Sequence, residues 1–110
     1  MQQYVVDELR SREIERITDY LEKSCERSTL DNLFWLKLPD DLLTPVQYEH
    51  KDCSPFCIGI EVTEDKVIFE MLIRSRKKLR CNCISYASPQ QRQFILKFVD
   101  TLLKEAEITA

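Results

Sequence analysis

The 110-residue chain carries 16 Lys and Arg against 19 Asp and Glu, a net charge of −3, with 44% hydrophobic and 32% charged residues. That is the make-up of an ordinary globular chain with room for one core and not two, so a single domain over 1–110 is expected. The acidic balance argues against a general nucleic-acid binder, and no apolar run reaches the roughly 18–20 residues of a helical membrane span.

Gly59 is the one glycine, which excludes the glycine-rich loops that cradle nucleotide phosphates. The opening "MQQYVVDELRSRE" has no apolar signal-peptide core, and a cytoplasmic location is the expectation. Five cysteines is an odd count, and reduced thiols are expected there.

In chain order, Val6, Leu9, Ile14, Ile17, Leu21 and Cys25 recur at helical spacing, which predicts an amphipathic helix over 4–26. Residues 28–54 hold the apolar run "NLFWLKLP" with Trp35, then Pro39 and Pro45. They suggest a short strand and a helical turn near 40–43.

The clearest β signal follows. "FCIGIEVT" and "KVIFEMLIR" both alternate, and a tight turn at Glu64–Asp65 would pair Val62 with Val67, Ile60 with Phe69 and Ile58 with Met71. The other face then collects Glu61/Ile68, Gly59/Glu70 and Cys57/Leu72. A slip of one residue would scramble both faces. "LRCNCISYA" is predicted as the next strand, with Leu79, Cys81 and Cys83 inward and Arg80, Asn82, Ile84 and Tyr86 outward.

Last comes a helix opened by Ser88-Pro89-Gln90-Gln91, with Ser88 as N-cap and Gln91 at the capping-box position. The sum is an α+β fold of order α-(β)-β-β-β-α, an antiparallel three- or four-stranded sheet with two helices packed on one face.

The candidate chemistry centres on "HKDCSPFC" and "RCNC". His50, Cys53, Cys57, Cys81 and Cys83 are of the types that hold zinc. Against them, C-x3-C and C-x-C are not the C-x2-C of a compact knuckle. Strand parity also sends Cys57 outward and Cys81 and Cys83 inward, with a strand between. The expectation is therefore no metal or other cofactor, with a zinc-binding regulator as the alternative and His50–Cys53 its only local pair. Neither cysteine pair is the C-x-x-C of a redox helix terminus. Catalysis would rest on His50, or on Glu61 and Glu70, which a solvated strand face explains equally well.

The segment "RSRKKLR" concentrates Arg74, Arg76, Lys77, Lys78 and Arg80, a loop suited to an anionic partner or simply to keeping a hairpin tip soluble. The order α-β-β-β-α resembles double-stranded-RNA-binding domains in topology. Those domains use lysines at the start of the last helix, where this chain has only Arg92 in "SPQQRQ". It also resembles secretion-chaperone-like modules, which dimerise and hold partner chains. Ile68, Leu72, Ile84 and Tyr86 would form an apolar patch on the outer sheet face, covered by the Trp35 segment or by a second copy. The function expected is a non-enzymatic protein-interaction or adaptor domain that dimerises through this face, with no membrane partner and with nucleic-acid binding through the basic 74–80 loop as a lesser alternative.

Overall fold

The computed structural model describes residues 2–108. Its fold is α+β, with three helices and an antiparallel sheet of seven strands, more strands than the sequence pattern implies.

The first departure is at the N-terminus. Gln3–Val6 is a strand, β1, and helix α1 spans only Ser11–Ser24. Tyr4, Val5 and Val6 favour extended backbone, and they pair with the strand Val67–Glu70 in the register Tyr4↔Phe69 and Val6↔Val67. Glu8 then turns the chain at φ 57°, and the Leu9 N–H donates to the Asp65 carbonyl at 2.9 Å. The helix begins after this turn, where the Arg10 N–H is capped by the Glu13 carboxylate at 2.8 Å.

Residues 26–56 form a two-residue strand β2 (Glu26–Arg27), β3 (Leu33–Lys37), a 3-10 turn (Asp40–Leu42), α2 (Pro45–Glu49) and a second 3-10 turn (Lys51–Cys53). Thus the Trp35 segment does not lie over the outer face; it is β3, hydrogen-bonded beside β4 (Phe56–Val62). Helix α2, absent from the sequence expectation, has a full capping box between Thr44 and Gln47. The sequence signal was present: Thr44-Pro45-Val46-Gln47 repeats the Ser-Pro-x-Gln grammar of Ser88–Gln91.

β4 runs against β5 (Val67–Glu70) in the expected register at Val62↔Val67, Glu61↔Ile68 and Ile60↔Phe69. Beyond Phe69 the pairing differs. The strand breaks at Met71 and continues as β6 (Leu72–Ser75), with Cys57 opposite Arg74 rather than Leu72. Met71 spends its N–H on the Gln2 carbonyl and its C=O on the Ala87 N–H, both outside the β4 ladder. The offset amounts to two residues, an even number, so faces are preserved: Phe69, Met71 and Ile73 are all buried. The core gathers them with Phe34, Ile58 and Ile60 of the sheet, Ile17 and Leu21 of α1, and Ile95, Val99 and Leu102 of α3 (Pro89–Glu105).

The predicted third long strand is the second departure. Only Ser85–Tyr86 pairs with β6, as β7, and residues 76–84 form an irregular excursion. Leu79, expected in the core, is 96% exposed. Cys81 and Cys83 lie in a turn closed by the Ile84 N–H on the Cys81 carbonyl at 3.1 Å.

Candidate metal centre

Two short segments meet at the site. The first is the exit of α2, where His50 caps the helix and the following 3-10 turn carries Cys53. The second is the Cys81-Asn82-Cys83 turn. Together His50, Cys53, Cys81 and Cys83 place one imidazole nitrogen and three sulfurs within 4.8 Å of one another. Cys53 Sγ and Cys81 Sγ are 3.7 Å apart. This is near the ~3.8 Å edge of a tetrahedron with ~2.3 Å Zn–S bonds and well beyond a ~2.05 Å disulfide bond. His50 Nδ1 lies 3.1 Å from Cys81 Sγ, about half an ångström inside the corresponding N···S edge.

The donor set is therefore H-x2-C…C-x-C, three thiols and an imidazole. It suits zinc and supplies four ligands, which leaves no position for substrate. Cys53 and Cys83 are buried, while Cys81 and His50 are half-buried. The Cys81 thiol is pulled down to about 6, chiefly by hydrogen bonds from the Cys83 backbone and side chain. Burial pushes the Cys83 thiol up to about 12. Lys78, ion-paired to Asp52 at 2.6 Å, also senses the Cys53 and Cys81 sulfurs. It stands as a cation beside what would be a net-anionic zinc–tris-thiolate cluster. Ser75 ties the two segments further, donating its hydroxyl to the Cys53 carbonyl and accepting the Lys77 and Lys78 N–H groups.

Cys57 stays outside this cluster, on the outer face of β4 as parity requires, yet it is buried. Cys81 and Cys83, expected on a strand facing inward, lie instead in a turn that brings them to His50 and Cys53. Among the described residues all five cysteines are free.

The other candidates are distributed differently. Trp35, Ile68 and Ile84 line a half-open cleft of about 500 Å³ on the outer sheet face, floored by Gly59. Leu72 and Tyr86 pair with each other across β6–β7, away from the cleft lining. Glu70 is held by Arg74 through both carboxylate oxygens, at 3.1 and 3.0 Å, so it is no free acid–base partner for Glu61. Of the five loop cations, Arg74, Arg76 and Lys78 are ion-paired, to Glu70, Glu26 and Asp52. Arg76 also stacks over Trp35 at 4.9 Å. Lys77 and Arg80 are exposed and outside any ion pair among the described residues.

No family model, curated protein or solved structure matches the chain. No helix among the described residues is long and apolar enough to cross a membrane.

Proposed function

We propose that this protein is a zinc-stapled α+β binding domain, with one Zn²⁺ held by His50, Cys53, Cys81 and Cys83. The observation that carries the reading is the convergence of four ligand atoms within 4.8 Å from segments about thirty residues apart in sequence. Chance clustering of buried thiols does not require the chain's single histidine to join them. With four protein ligands the ion is structural: it joins the α2 exit to the 76–84 excursion, which has no regular secondary structure of its own. Elemental analysis of tag-free protein purified without chelator tests this. One zinc per chain is expected; no metal, together with three freely titrating thiols at Cys53, Cys81 and Cys83, overturns it.

The working surface of such a non-enzymatic domain is the outer sheet face, through which it contacts a second copy or another protein. The support is the cleft that brings Trp35, Ile68 and Ile84 together, lined among the described residues by strands and loops and by no helix residue. Sedimentation at micromolar concentration checks the homodimer. A clean monomer that stays monomeric at high concentration removes self-association.

A further inference from the structure

The structure assigns Gln47 as a positioning residue for the metal centre, an inference that rests on the zinc reading and goes beyond its ligands. Gln47 is 1% exposed, on the inner side of α2, and every polar contact of its amide is directional. Nε2 donates to the Cys83 carbonyl at 3.2 Å. Oε1 accepts the Thr44 N–H at 3.1 Å and Gln91 Nε2 at 2.9 Å. Turning the amide over would set donor against donor and carbonyl against carbonyl, so one orientation satisfies the site.

The contact joins the two halves of the donor set. Gln47 sits on the helix that delivers His50 and Cys53, and it grips the backbone of the turn that delivers Cys81 and Cys83. Fixing the Cys83 carbonyl fixes the peptide plane between Cys83 and Ile84. The Ile84 N–H in turn closes the turn on the Cys81 carbonyl. Both thiols of the C-x-C are thereby aimed before any ion arrives. A capping box alone does not explain a glutamine here, because glutamate serves that role equally well. Only the amide can also donate to Cys83.

The same amide extends the connection to the last helix. Gln91, fully buried, donates to Gln47 and to the Leu42 carbonyl and accepts the Ser88 N–H at 2.9 Å. The two capping boxes are thus one hydrogen-bonded unit that ends on the metal turn.

The test is competition of cobalt(II) and zinc(II) against a chelator, on reduced full-length protein. Gln47→Met keeps the length of the side chain and removes the donor; its affinity should fall about 10–100-fold, the usual consequence of losing a ligand-orienting contact. Val99→Ala, a cavity in α3 remote from the site, should lower the melting temperature and leave affinity within about threefold. Gln47→Glu guards against misfolding of the Met variant, because it retains the acceptor for Thr44 and Gln91. At pH 8 it should also bind at least about tenfold more weakly, with an altered cobalt(II) visible spectrum. Wild-type affinity in both Gln47 variants overturns the assignment while leaving the zinc centre standing. So does a loss in Val99→Ala equal to theirs. Absence of metal binding by the wild type overturns the zinc centre itself, and this inference with it.

Discussion

Cys25 and Cys57 form one set of thiols in this chain, and Cys53, Cys81 and Cys83 another. Cys25 closes the C-terminus of α1 and Cys57 sits under Arg76 on the outer sheet face. Burial pushes both up, Cys25 to about 11, with Cys57 close enough to add a little, but neither belongs to the group that includes the imidazole. They behave as small apolar side chains. The other three share a space with His50, and one of them, Cys81, is drawn down to about 6. Cysteine count and spacing do not separate these sets. What separates them is whether the backbone turns a thiol toward other ligands or leaves it as packing.

The largest expected effect lies within the ligand set. Cys81→Ser or Cys53→Ser should abolish the one-to-one zinc of the wild type, whereas Cys25→Ala and Cys57→Ala should keep it. Chelation of the wild type should cost about 4 kcal/mol of stability where free zinc had stood a thousandfold above Kd. Thermal unfolding with and without chelator reads this directly. Affinity should fall as pH drops, because binding requires thiolates and acid returns their protons.

The next effect is reactivity. At pH 7.5 a thiol near 11 is about one part in three thousand thiolate, whereas one near 6 is almost fully ionised. Metal-free protein should therefore be alkylated first at Cys81 and far later at Cys25 and Cys83, as peptide mass mapping over a time course would show. Zinc should protect Cys81 and leave Cys25 unchanged. Early labelling of Cys25 would break the comparison.

Smaller effects test the passive set and the face beside it. Cys57→Ala should cost about 1 kcal/mol with metal content untouched. At Gly59 an added Cβ would stand 2.7 Å from Glu70 Oε1. Gly59→Ala should therefore displace that carboxylate from Arg74, at about 1 kcal/mol or less in denaturant titration. Zinc affinity should not change, since the Glu70–Arg74 pair makes no hydrogen bond to the four ligand residues.

Some of this could be read from residue order, and the parts that could were those governed by local physics. The β4–β5 hairpin followed from two alternating runs meeting at Glu64–Asp65, and its faces survived even the two-residue offset at Met71. The last helix announced itself through Ser88, Pro89 and Gln91. The failures lie where distant contacts override a local pattern. Tyr4–Val6 fits a helical stripe and a strand equally, and the free edge of β5 decides for the strand.

"LRCNC" alternates as a strand would, but its backbone is claimed by Gln47, thirty-six residues earlier, and its Cys81 thiol lies against His50, thirty-one earlier. The His/Cys cluster was therefore legible as ingredients, with parity placing Cys57 on the outer face of β4, and illegible as an assembly. Its one overlooked cue was Thr44-Pro45-Val46-Gln47, which starts the helix that carries His50 to the site.

The most direct test of the division between the two thiol sets is a cobalt(II) titration of the reduced Cys25→Ala/Cys57→Ala double variant. The account predicts one equivalent bound, with thiolate charge-transfer absorption and the intense visible bands of a tetrahedral ion. A double variant that binds no cobalt while the wild type does would contradict it, because the passive thiols would then be ligands.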